Sequence, residues 1–202
     1  MAVAGTSLLE HAVQRAAGAP EVTDIVVVAP ASHLVEAGAI ASRAAGSTVV
    51  RVVAGGEERT DSVAAGLRAL AAEVDVVLVH DAARPLTPPG LVRRVLAALA
   101  AGHRAVVPVL PVVDTTVVVD DAGVITDAPP RAALRRVQTP QGFDRAVLTA
   151  AYARLAPDAD LTDDATVVRA DGVPVTTVDG DERAAKVTVR HDLALAEAQV
   201  AR

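Results

Sequence analysis

The chain has 202 residues, a formal net charge of −6 and an apolar content of 51%. That length suits one domain with a substantial core. The acidic balance excludes broad nucleic-acid binding, and no run of about 18 apolar residues is present to span a membrane. With no cysteine there is no disulfide or thiolate chemistry, and with no basic segment ahead of an apolar stretch there is no secretory signal, so a cytoplasmic protein is expected.

Taken in chain order, "GTSLLEHAVQRAAG" predicts a helix opened by Ser7 and Glu10 at capping-box spacing. Apolar blocks then alternate with helical patterns: strand 24–29, helix 31–45, strand 48–53, helix 60–73 and strand 74–79. Thr87-Pro88-Pro89 supplies a cap and first-turn prolines for a helix ending at Ala101, followed by strand 104–110. This alternation predicts an α/β fold built on a doubly wound, mostly parallel sheet. Residues 112–127 break the rhythm, because short β-branched runs flank Asp120-Asp121-Ala122-Gly123, a hairpin turn signal. Such an insertion reads as an arm whose exposed valines are covered by a partner subunit or by folding back on the same domain. The remainder predicts helix 144–155, helix 162–171 with Thr162 as its cap, strands 173–178 and 184–189, and a closing helix from 191.

Phe143 and Tyr152 are the only aromatic residues, so Ala and Val must fill most of the core. Lys186 is the lone lysine among 19 lysines and arginines. It is either a leftover surface residue or a compact point charge retained where an arginine fork would not serve.

Several stretches carry candidate chemistry. "VHDAARP" puts Asp81 and Arg84 where strand 74–79 runs out, and open α/β sheets bind ligands beyond the carboxyl ends of their strands. A carboxylate there suits Mg²⁺ with substrate phosphate oxygens, and a guanidinium suits bidentate phosphate binding, although an Asp–Arg pair can simply tie a loop together. In "AGGEERTDSV", Gly55-Gly56 lets backbone approach a ligand, and Thr60, Asp61 and Ser62 are cap candidates for the next helix. "RAALRRVQTPQGF" sets three arginines beside a polar loop, and "LTDDATVV" places two carboxylates at a helix N-terminus, where dipole complementation accounts for them. His80 reads as structural. No nucleophile elbow and no His/Cys zinc spacing occurs.

These stretches, together with "PVVDTT" and "AAKVTVRHDLALAE", follow the order found in the 2-C-methyl-D-erythritol 4-phosphate cytidylyltransferase family, which the chain resembles over residues 5–202. The resemblance implies a Rossmann-like nucleotidyltransferase with a single domain over 1–202. Residues 112–130 would be a protruding dimerisation arm, so a homodimer is implied. It implies transfer of CMP from CTP to methylerythritol phosphate, with pyrophosphate released and Mg²⁺ as cofactor. Asp81 would face the metal and triphosphate, with Gly56, Glu57, Ser62 and Ala82 lining the cytidine pocket. Arg84, Asp114, Thr115, Thr139 and Thr162 would face the substrate, and Arg131 and Lys186 would position the attacking phosphate. The competing readings are a cytidylyltransferase for another sugar-alcohol phosphate, such as ribitol 5-phosphate, and a non-catalytic dimeric remnant. The family opens with a central strand, an A-A-G-x-G-x-R loop and a P-K pair, and none precedes the first helix here. A misplaced start codon or a truncated chain is therefore expected, with no more than trace activity in residues 1–202 alone.

Overall fold

The computed structural model describes residues 1–156 and 163–201. A miniature antiparallel hairpin, β1 (Ala2–Val3) and β2 (Thr6–Ser7), precedes the first helix and turns through Ala4 and Gly5, both at positive φ. The helix α1 (Leu8–Ala17) then starts as its spacing predicts, with Ser7 Oγ accepting from the Glu10 amide at 3.1 Å.

Two parallel strands follow, β3 (Asp24–Ala29) and β4 (Val49–Ala54), joined through α2 (Leu34–Ala44). Their alanine- and valine-rich cluster, which includes Val27, Ala37 and Ala41, shows how a core without aromatics is filled by close approach of helix to sheet. The helix α3 (Arg59–Ala69) leads to β5 (Val76–Val79), so the predicted helix 60–73 ends four residues early and strand 74–79 starts two residues late. Next come α4 (Pro89–Ala100) and β6 (Ala105–Pro111). Thr87 does not cap α4: its hydroxyl donates to the Arg84 carbonyl at 3.1 Å, and Pro88 occupies the cap position.

The hairpin is present as β7 (Val118–Val119) and β8 (Ile125–Asp127), antiparallel across Asp120–Gly123. Asp120 Oδ1 accepts from the amides of Ala122 and Val124, and Gly123 takes φ +79°, so the turn is held by the residues that signalled it. Val113, Val117, Val118, Val119, Val124 and Ile125 are all exposed.

Two strands lie where the sequence reads as loop, β9 (Arg135–Val137) and β10 (Gln141–Asp144). β10 runs antiparallel between β5 and β6, and β11 (Thr176–Asp179) completes the order β11-β6-β10-β5 with β11 parallel to β6. The sheet is therefore mixed: β10 runs against both of its neighbours, and β9 also pairs antiparallel with β6. Phe143 on β10 is fully buried and packs with Val77, Ala105, Val147 and Leu148. Gly142 is needed beside it, because a Cβ there would lie 2.4 Å from Val95 Cγ1 and 2.8 Å from Leu99 Cδ1.

The helices α5 (Arg145–Ala153) and α6 (Asp164–Ala170) cover this sheet, and α7 (Arg190–Val200) closes the chain. Asp163 caps α6, and the expected cap Thr162 lies outside the described residues. The predicted strand 184–189 does not form. Asp181 opens a short 3₁₀ turn at Glu182–Ala184, and the amides of Thr188 and Val189 are taken by Asp192 on α7, which leaves no ladder for a strand.

The facing edges of β3 and β5 have no ladder partner among the described residues. A cavity of about 440 Å³ lies between them, with Ile25–Val28, Val76–Val79, Ser62, Asp81 and Ala82 in its lining. Among the described residues no helix is long and apolar enough to cross a membrane.

Candidate active site

Three loops meet at the carboxyl end of β5, and each is held by hydrogen bonds that bridge long sequence separations. The first carries "HDAARP". The Asp81 amide donates to Thr139 Oγ1 at 3.1 Å, and the Thr139 hydroxyl lies 2.8 Å from His80 Nδ1. With the ring proton on Nε2, Oγ1 accepts from the Asp81 amide and donates its own proton to Nδ1. Burial keeps that ring uncharged, lowering its pKa to about 4 despite the neighbouring Asp81 carboxylate. His80 thus sets the hydroxyl that orients Asp81, a part the sequence reading gave it only as "structural".

The second loop, 137–140, includes a cis peptide between Thr139 and Pro140. The third runs from 180 to 188. Buried Gln138 joins the two, donating to the Asp181 carbonyl at 2.9 Å while accepting from the Asp181 amide at 3.0 Å. Gly180 makes this approach possible, because a Cβ would lie 2.4 Å from Gln138 Oε1. The Val187 amide then donates to the Ala83 carbonyl at 2.7 Å, docking the third loop onto the first.

This bracing brings Asp81, Arg84, Thr139 and Lys186 together. Lys186 Nζ lies 3.2 Å from Asp81 Oδ2, with 48% of its side chain still exposed. Arg84 Nε approaches the same oxygen at 3.7 Å, but its side chain is only 12% exposed and its outer nitrogens donate to the carbonyls of Ala184 and Val137. Of the two cations, Lys186 is the one with free reach. Arg84 works as a tie between the three loops, and burial lowers its pKa even though Asp81 acts the other way.

Of the expected pyrimidine-side residues, Ser62 and Ala82 line the cavity with Asp81, and Gly56 and Glu57 lie on the exposed loop beside it. Ser62 Oγ accepts from the Gly56 amide at 3.3 Å, and Asp61 Oδ2 accepts from the Glu58 amide at 3.2 Å. Glu58 holds the cap position of α3, so Thr60, Asp61 and Ser62 do not. A Cβ on Gly55 would lie 2.6 Å from Ser62 Oγ, which makes Gly-Gly a packing requirement of this loop.

Arg131, Asp114 and Thr115 form a separate exposed group at the root of the arm, where Arg131 donates to the Val113 carbonyl at 2.8 Å. None of the three has a polar contact with the Asp81 group among the described residues. Thr162 lies outside the described residues. The sequence reading passed over Arg59 and Tyr152, and it accounted for Asp164 by the helix dipole. Arg59 lines the cavity, and Asp164 is fully buried between Arg59 and Tyr152. The signals available were the arginine inside "GGEER" and the single tyrosine.

A family model for 2-C-methyl-D-erythritol 4-phosphate cytidylyltransferase matches residues 1–202. The chain belongs to this family. A cytidylyltransferase of that name from Frankia casuarinae is 53% identical over 201 residues, covering 100% of this chain and 73% of the relative. Another from Nocardia farcinica is 53% identical over 195 residues, covering 96% of this chain and 82% of the relative. The crystal structure of the Thermus thermophilus cytidylyltransferase superimposes with a TM-score of 0.81 at 40% identity, covering 100% of this chain and 92% of that one. The Anaerococcus prevotii synthase gives 0.91 at 27% identity, with 100% and 88% covered. These members of the 2-C-methyl-D-erythritol 4-phosphate cytidylyltransferase family share the α/β fold described above.

Proposed function

We infer that the chain transfers a cytidylyl group from CTP to 2-C-methyl-D-erythritol 4-phosphate. An oxygen of the acceptor phosphate bonds to the α-phosphorus of CTP, the α–β phosphoanhydride bond breaks, and pyrophosphate leaves with the displaced electron pair. The observation that carries this reading is the pairing of Lys186, the lone lysine, with Asp81 at the end of β5 in a chain whose whole length matches the family. The reaction brings two anions together, so it needs cations fixed in position rather than a nucleophilic side chain.

Each group then has a task. Lys186, held at Asp81 and half exposed, receives the acceptor phosphate and offsets its charge. Arg131, with Asp114 and Thr115 at the root of the arm, serves the same acceptor, and supplies it to the site of a second copy through a homodimer. The exposed valines of the hairpin support that reading, since a neighbouring subunit would remove them from water. The loop at Gly56, Glu57 and Ser62, with Ala82, receives the pyrimidine nucleoside.

Asp81 fits a Mg²⁺ ion that arrives with the nucleotide. Its Oδ2 faces Lys186 and Arg84, whereas Oδ1 has no protein partner among the described residues. No group of three or more metal-ligating side chains occurs among the described residues, and a hard cation that keeps phosphate oxygens in its shell needs only one or two carboxylates. The ion would neutralise charge on the CTP phosphates.

Pyrophosphate release measured with CTP and Mg²⁺ tests the acceptor. Whatever its absolute rate, turnover with methylerythritol phosphate is expected to exceed that with ribitol 5-phosphate, an acceptor for which neither the Frankia nor the Nocardia relative is named. Equal turnover with both acceptors would overturn the assignment.

A further inference from the structure

The cluster around Asp164 is not used by the reaction as described, yet it is among the most expensive arrangements in the molecule. Asp164 is fully buried, and an uncompensated carboxylate there would cost several kcal/mol. Both of its oxygens are engaged: Oδ2 accepts from an outer guanidinium nitrogen of Arg59, the first residue of α3, and Oδ1 accepts from the Tyr152 hydroxyl on α5 at 2.6 Å. The phenol stays protonated, its pKa raised by burial and then by the Asp164 charge.

The need to cap α6 does not explain this expense, because Asp163 already caps it, accepting from the Thr166 amide at 2.8 Å and from the Thr166 hydroxyl at 2.6 Å. Gln141 braces the same turn, donating to Asp163 and accepting from the Ala165 amide. What Asp164 adds is a link across 105 residues of sequence to the start of α3. That start carries Ser62, whose hydroxyl anchors Gly56, and Arg59 lines the same cavity as Ser62, Asp81 and Ala82. Burial works against the Arg59 charge, but Asp164 outweighs it, so the guanidinium pKa is raised, with a smaller contribution from Asp81.

We propose that Asp164 is a positioning residue for the nucleotide, fixing Arg59 and the Gly55–Ser62 loop so that CTP meets a preformed pocket. The inference rests on the cytidylyltransferase reading. Without its carboxylate partner, Arg59 keeps only weaker attractions, among them to Asp163 and Asp81, and no longer holds one position on the cavity wall. The effect is then felt by CTP more than by the acceptor.

Three variants test it in the intact chain, with calorimetric CTP binding measured beside steady-state kinetics. Asp164→Asn keeps the shape and removes the charge. It is expected to raise the CTP Kd and KM roughly tenfold, short of the hundredfold that an ångström's misplacement of a reacting group brings, and to leave the KM for methylerythritol phosphate unchanged. Arg59→Gln removes the guanidinium from a side chain that is 38% exposed and keeps an amide donor toward Asp164. It should give the same split, with circular dichroism and melting recorded beside it to register the cost of the unpaired carboxylate. The double variant should be no worse than either single one, because both remove one linkage. A CTP Kd in Arg59→Gln within about twofold of the parent overturns the proposal, as does an equal rise in KM for both substrates, the pattern of a loosened fold. Binding of CTP is read without turnover, so a parent with only trace activity leaves this test standing, and failure of the acceptor comparison above is told apart from failure of this proposal.

Discussion

The Asp81 cluster and the hairpin arm are built on opposite plans. Around Asp81, three loops separated by tens of residues are cross-linked through Thr139, Gln138, Arg84 and Val187, so each side chain there is positioned from several directions. The arm relies on its own turn: Asp120 holds Ala122 and Val124, and β7 and β8 pair only with each other. A two-stranded hairpin is marginal in water by itself. The contrast shows that the chain keeps its charged chemistry on a rigid floor and places its exposed valines on an element with few ties to the rest.

The comparison can be broken most sharply at Asp81. Asp81→Asn retains the shape but removes the charge facing Lys186 and the proposed Mg²⁺, and kcat/KM should fall relative to the parent on the order of 10²–10³ with the circular dichroism unchanged. Parent-like turnover across a magnesium titration would remove Asp81 from the site. Lys186→Met keeps the aliphatic stem and removes the point charge. It should cost about tenfold to a hundredfold, expressed in the KM for the acceptor phosphate rather than for CTP.

The arm offers the converse experiment. Replacing Val118 and Val119 with Ser should shift sedimentation at micromolar concentration from dimer to monomer, with loss of activity, while the melting of the α/β body stays put. If the parent chain is monomeric at that concentration, the shared-site reading of Arg131 is wrong. On the rigid side, Gly142→Ala would press a methyl group onto Val95 and Leu99, and overpacking of this kind costs about 1–3 kcal/mol in denaturant melts.

The smallest effect expected concerns His80. Its pKa is lowered by burial to about 4, below the ordinary value of 6.5, so the unfolded chain binds the proton more readily than the folded one. Its contribution to stability is therefore full above pH 6.5 and is lost as pH falls toward 4. The decline of Tm between those limits should be shallower in His80→Asn, and identical slopes would show that the ring is not the group responsible.

How much of this was legible depended on whether the information is local. The Ser7 cap, the run Asp24–Ala29 and the Asp120–Gly123 turn are all specified by neighbours in sequence, and each formed as read. The strand β10 was not legible, because Gln141, Gly142 and Asp144 carry no strand propensity and become a strand only between β5 and β6. Residues 184–189 erred the other way: the valines suggest a strand, but Asp192 claims the amides. In the candidate site, Asp81 could be read from its place at a strand end. The turning inward of Arg84 could not, since it depends on the carbonyls of Ala184 and Val137. Asp164 was misjudged for the same reason, as its partner lies 105 residues away.

The backbone bond from the Val187 amide to the Ala83 carbonyl is one of several ties on the third loop, beside those made by Gln138, Arg84 and Lys186. Residues 182–189 form no ladder, so these ties can loosen together without unravelling the sheet, and Lys186 then moves away from Asp81. Deuterium uptake at the Val187 amide therefore reports how often Lys186, the residue proposed to receive the acceptor, leaves Asp81. Protection there should rise when both substrates are bound, while the amides of β10 keep the slow exchange of global unfolding.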